Sequence, residues 1–196
     1  MPDQLTPFSP LAAVSPLGGH ASSHGGTSLA EVTGLAFVSL AVSQGNEAAF
    51  ARAVKKAWKI EVPSPGTSAT TGDIRLIWTA PDQYHLLMPE PAGNPSGDLL
   101  APVMKAISDT AWLTDQSDSY CMLRLEGSRA REALERICPL DLHPGSFAVD
   151  AASRTAMEHL GVLLIREETD RYLLMSARSS AQSFLHAVET SLENIT

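Results

Sequence analysis

With 196 residues, 44% of them hydrophobic and 18% charged, the chain holds enough apolar material for a packed domain and too much for a disordered one. A formal net charge of −8 and the lack of any Lys/Arg-rich run exclude a general phosphate-backbone binder. Apolar runs such as 35–42 are too short to span a bilayer, and the opening MPDQ lacks the basic and apolar regions of a signal peptide. No nucleic-acid or membrane role is therefore expected, and a cytoplasmic location is. The two cysteines, Cys121 and Cys138, lack C-x-x-C spacing and read as small buried hydrophobes in a reducing compartment. So few charges also suggest that partners cover part of the surface.

Residues 1–33 carry four prolines and four glycines among many Ser and Thr, so no regular element is expected there. Leu5, Phe8, Leu11, Val14 and Leu17 recur every three residues. The segment reads either as a loose terminus or as an extended arm laying these side chains on another surface. His20 and His24 have metal-pair spacing only on a helix, which their Gly/Ser surroundings oppose.

From 34 onward the pattern is regular. Residues 34–42 read as a strand apolar on both faces. Residues 46–59 form a helix with Ala49, Phe50, Ala53, Val54, Ala57 and Trp58 on one stripe. A loop over 62–72 leads to a strand at 73–79, a turn at Pro81-Asp82 and a partner strand at 84–88. A proline-rich loop precedes a helix at 98–108. The order then recurs. Residues 119–126 are a strand, 129–138 a helix and 139–150 a loop, and 156–166 with 171–177 form a hairpin. Ser179-x-x-Gln182 is a capping-box pattern opening the last helix, which buries Phe184, Leu185, Val188 and Leu192.

Residues 82–88 (DQYHLLM) and 170–175 (DRYLLM) echo one another, each with Asp in a turn and Tyr two residues on. The echo indicates a duplication. The predicted fold class is α+β, with two βαββα units at 34–110 and 119–193 in one domain over 34–196. They form a mostly antiparallel sheet with helices on one face, preceded by an extended arm at 1–33.

No strong catalytic signature is present: no dinucleotide glycine motif after a strand, no P-loop, no G-x-S-x-G and no H-E-x-x-H. Asp115 and Asp118 flank a strand start and read as loop-capping residues rather than an acid/base pair. His159, beside Glu158, has the chemistry of a general base but reads as half of a cross-strand polar pair. Arg154, Arg166, Arg171 and Arg178 surround the last hairpin, where arginines suit a contact with another subunit better than a substrate carboxylate.

The segments 154–165 (RTAMEHLGVLLI), 170–175 (DRYLLM) and 178–189 (RSSAQSFLHAVE), with the proline-rich opening around Ser9-Pro10-Leu11, resemble the γ subunit of heterotetrameric sarcosine oxidase. The resemblance implies a fold like part of the folate-binding glycine-cleavage T-protein. It implies a non-catalytic structural subunit with α, β and δ partners in an enzyme that oxidatively demethylates sarcosine to glycine. Tetrahydrofolate would accept the one-carbon unit. FAD, FMN, NAD and zinc are implied on the other subunits, with no catalytic residue, cofactor or metal on this chain. Phe8, Leu11 and Leu17 of the arm, with the four arginines, are the expected subunit contacts. Two alternatives stay open: a free-standing folate-binding or aminomethyl-transfer protein, and a γ-like subunit of another N-methyl amine oxidase. The Lys-Gly-Cys-x-x-Gly-Gln signature of folate-binding iron–sulfur maturation proteins is missing.

Overall fold

The computed structural model describes residues 15–90, 100–107 and 109–195. Strands β1 (Ala21–His24) and β2 (Thr27–Glu31) form a hairpin closed by Gly25-Gly26, with φ of 53° and 85°. Two successive residues at positive φ make the two-residue turn whose twist matches paired strands. This overturns the expectation that 1–33 holds no regular element. The glycines here close a hairpin rather than break a chain.

The first unit follows as β3 (Leu35–Val42), α1 (Glu47–Trp58), β4 (Ser68–Thr71), β5 (Ile74–Ala80), β6 (Gln83–Pro89), α2 (Leu100–Ile107) and β7 (Ala111–Asp115). The second is β8 (Tyr120–Glu126), α3 (Ala130–Ile137), β9 (Ala152–Met157), β10 (Leu160–Glu168), β11 (Arg171–Ala177) and α4 (Ala181–Glu193). Every strand pair is antiparallel. The α+β class and the antiparallel pairing agree with the sequence reading. The first unit carries two more strands than expected, β4 and β7, and the second carries one, β9; all three are short. The run at 156–166 is broken by a turn at Glu158, φ 53°, which separates β9 from β10.

The strands build two sheets rather than one. Their orders are β4-β5-β6-β3-β7 and β1-β2-β8-β11-β10-β9. Alternation along each strand explains the arrangement. Val38, Leu40, Leu76 and Leu86 meet Phe50 and Val54 of α1 and Val103 and Ile107 of α2. Leu123, Leu125, Leu164, Tyr172 and Leu174 meet Leu134 of α3 and Phe184 and Val188 of α4. The opposite faces supply a middle layer of Phe37, Ile77 and Leu87 against Met122, Leu163, Ile165, Leu173 and Met175. A strand apolar on both faces needs a cover on each, and here one cover is helical and the other is the facing sheet.

One corner stitches the sheets together. Thr67 bridges Ala151, and Ser68 N–H donates to Asp150 O at 2.7 Å. Arg75 Nη1 donates to Asp150 Oδ1 at 2.9 Å and to Ser68 Oγ at 2.8 Å. Duplication shows in the register. Tyr84 lies opposite Trp78 and Tyr172 opposite Arg166, and in both hairpins the register shifts by a bulge just beyond that pair. The capping box at Ser179 does not form: a 3₁₀ turn over Arg178–Ser180 precedes α4, and Ser180 makes no side-chain cap. At α3, the hydroxyl of Thr27 accepts from Arg129 N–H at 3.3 Å, so the first hairpin caps a helix of the second unit.

Candidate functional site

The four arginines near the last hairpin do not form one surface. Arg166 is 3% exposed. Its Nη1 donates to Phe147 O at 2.7 Å and its Nη2 to Thr169 O at 2.6 Å, and its guanidinium carbon lies 5.6 Å from the Tyr172 ring centroid. With its donors spent on carbonyls of its own chain, Arg166 is removed from the expected subunit contacts. Arg171 is half-buried and bonds Glu126 at 3.0 Å and also Glu168. Those bonds, chiefly the one to Glu126, raise its pKa, while the bond to Arg171 holds the Glu126 carboxyl below its usual range. Arg178 lies 3.7 Å from Asp118. Arg154, on β9, is exposed and makes no ion pair among the described residues. Leu17 packs, partly buried, on the core beside α3 and α4. Phe8 and Leu11 lie outside the described residues.

The other candidates separate as well. Asp115 Oδ1 accepts from the backbone and hydroxyl of Ser117, at 2.9 and 2.7 Å, which is loop capping. Glu158 and His159 are exposed on the β9–β10 turn, beside a groove of about 430 Å³ shared with His186 of α4. His20 Nε2 lies 2.8 Å from the Glu189 carboxylate without hydrogen-bond alignment. No group of three or more His, Cys, Asp or Glu among the described residues is placed to hold a metal. Both cysteines are buried, and burial pushes the Cys121 thiol up to about 11, which leaves it unreactive.

The polar feature that sequence reasoning missed lies between the sheets. His85, on β6, points into the middle layer and is 6% exposed. Its ring stacks on Phe37, with centroids 4.5 Å apart and planes 5° from parallel, and Tyr120 meets Phe37 edge-on at 5.0 Å. Its Nδ1 is buried with no hydrogen-bond partner among the described residues. Burial, and secondarily the charge of Arg154, push its pKa down to about 4. The imidazole is thus neutral near pH 7, too weak a base for proton abstraction but able to donate or accept a hydrogen bond. A cavity of about 340 Å³ opens beside it, lined also by Gln116, Ser119, Tyr120, Arg154 and Leu163. The signal lay in the echo itself. Aligned on Tyr84 and Tyr172, the first unit has His85 where the second has Leu173.

The model of the sarcosine oxidase, gamma subunit family matches residues 43–193. Sarcosine oxidase subunit gamma of Corynebacterium sp. (strain P-1) is 30% identical over 112 residues, which are 57% of this chain and 53% of that protein. Its counterpart from Arthrobacter sp. is 33% identical over 91 residues, 46% of this chain and 43% of that protein. The matched region thus spans about half the length of these curated relatives. Among solved structures, a chain of a heterotetrameric sarcosine oxidase from Corynebacterium sp. U-96 superposes with a TM-score of 0.77 at 24% identity, covering 93% of this chain and 95% of that one. Glycine cleavage system aminomethyltransferase T from Bartonella henselae superposes with a TM-score of 0.60 at 12% identity, covering 88% of this chain and 56% of that one. These two likenesses establish the shared fold. Because the family model matches residues 43–193, well over half of the chain, the chain belongs to the sarcosine oxidase gamma subunit family.

Proposed function

We propose that the chain is a structural, non-catalytic subunit of a heterotetrameric sarcosine oxidase. The assembly would contain α, β and δ partners and would demethylate sarcosine oxidatively to glycine, with tetrahydrofolate taking the one-carbon unit. FAD, FMN, NAD and zinc would sit on those partners. The observation that carries the reading is the family match over 43–193, which runs from the end of β3 to the end of α4. Chemistry at the candidate residues supports a structural role. Arg166, Asp115 and Arg171 are engaged in holding loops and strand ends of their own chain. The half-buried Arg178 and the segment carrying Phe8 and Leu11 are the proposed contacts with the partner subunits.

The test is co-expression with the three other subunits and tagged purification through one of them. The chain should co-purify in stoichiometric amount, and its omission should lower the yield of assembled flavoprotein. A fully active oxidase assembling without it would overturn the proposal.

A further inference from the structure

We propose that the cavity between the two sheets binds a small monocarboxylate with an apolar body, its carboxylate taken by Arg154 at the mouth and by the imidazole of His85 inside. The inference does not depend on the subunit reading. It starts from His85 Nδ1, a polar atom inside a 94% buried residue with no hydrogen-bond partner among the described residues. Buried polar groups are almost always paired, and a 94% buried imidazole that lines a cavity and makes no hydrogen bond among the described residues leaves one for a ligand to make. Packing does not require the histidine, since the equivalent position of the second unit is Leu173 in the same middle layer.

Arg154 supplies the charge. Arg75, Arg124, Arg129 and Arg171 each hold a carboxylate of this chain, whereas Arg154 holds none among the described residues. A planar guanidinium fork at a cavity mouth matches a carboxylate's two oxygens. The neutral imidazole adds a hydrogen bond but no second positive charge. One guanidinium balances one negative charge, so a monocarboxylate fits better than a dicarboxylate or a phosphate. Leu163 gives the ligand's body an apolar wall, and Gln116 and Ser119 give it a polar edge. The volume of about 340 Å³ suits a small molecule.

The probe is benzoate, titrated into the full-length chain at pH 7 and followed by calorimetry and by amide shifts in NMR. Benzamide is the uncharged control. Benzoate should bind saturably, with shifts centred on Val162, Leu163 and Tyr120, and at least tenfold more tightly than benzamide. Arg154→Gln, a change at an exposed position, should weaken it at least tenfold. His85→Phe keeps an aromatic ring beside Phe37 and should weaken it several-fold. No saturable binding, equal binding of benzamide, shifts centred on the groove beside α4, or unchanged affinity in Arg154→Gln would each overturn the proposal.

Discussion

The guanidinium of Arg166 is held by carbonyls rather than carboxylates, and that decides what its loss would do. Arg166→Met would leave the Phe147 and Thr169 carbonyls without their donors in a buried setting. Each orphaned group costs on the order of 1–3 kcal/mol, so the variant should lose about 2–4 kcal/mol, read as a lower urea midpoint at unchanged slope. Arg166→Lys should recover only part of this, because an ammonium cannot span both carbonyls and lie on Tyr172. His85 makes the second residue-scale prediction. Its folded pKa of about 4 lies below the ordinary 6.5, so the unfolded chain binds the proton more readily. Its stabilising contribution is complete above pH 6.5 and is lost as pH falls toward 4, by roughly 3 kcal/mol in all. Urea unfolding between pH 7 and 4.5 should show this loss in the wild-type chain and not in His85→Phe. A parallel fall in both would sink the idea. Neither residue was legible as a lone letter. Arg166 read as surface because burial of an arginine depends on carbonyls from 147 and 169 that only the folded loops bring to it. His85 was hidden in a run that reads as an ordinary strand.

Among the elements, the β1–β2 hairpin has the most to lose from a single atom. Gly127 sits at φ 138°, and a Cβ there would come within 2.7 Å of Gly26 O and of Thr27 Cα. Gly127→Ala should therefore strain its own backbone and push the hairpin off β8, at a cost of about 2 kcal/mol in thermal or urea unfolding. The same packing limits how the N-terminal segment can be trimmed. Removing residues 1–14 keeps both strands of the β1–β2 hairpin and the Thr27 cap on α3 in the chain. Removing 1–31 takes away β1 and β2, two strands of the six-stranded sheet. The short truncation should unfold at the wild-type midpoint and still lose partner binding if Phe8 and Leu11 are anchors; the long one should be destabilised by itself. Elements with strong periodicity, α1, β5, β6, β11 and α4, were readable within a few residues. The missed ones, β1, β2, β4, β7 and β9, are four to six residues long, and all but β2 lie at sheet edges. An edge strand has a partner on one side only and need not be apolar, so its pattern is weak. Gly25-Gly26 between two short alternating runs was the one hairpin signal available for β1 and β2.

For the molecule as a whole, duplication explains why two sheets face each other: each unit buries one sheet face under its own helices and leaves the other to its twin. The cover is incomplete at one edge. Ala111 and Leu113 of β7 pack toward α1 and α2, so Trp112 points to the opposite face, where it is 77% exposed beside the exposed Ala41. A tryptophan on an uncovered edge strand is a poor fit to a free monomer and a good one to an interface, where aromatic anchors carry most of the binding energy. Trp112→Ser removes few contacts within the chain, so its unfolding midpoint should move by no more than about 0.5 kcal/mol. If the chain works as a subunit, the same change should weaken association with the co-expressed partners by about tenfold or more, measured by interferometry on the immobilised chain. Unchanged association with an unchanged midpoint would remove β7 from the interface and leave the arm and Arg178 to carry it. Unchanged association of the 1–14 truncation as well would place the contact on the helical faces.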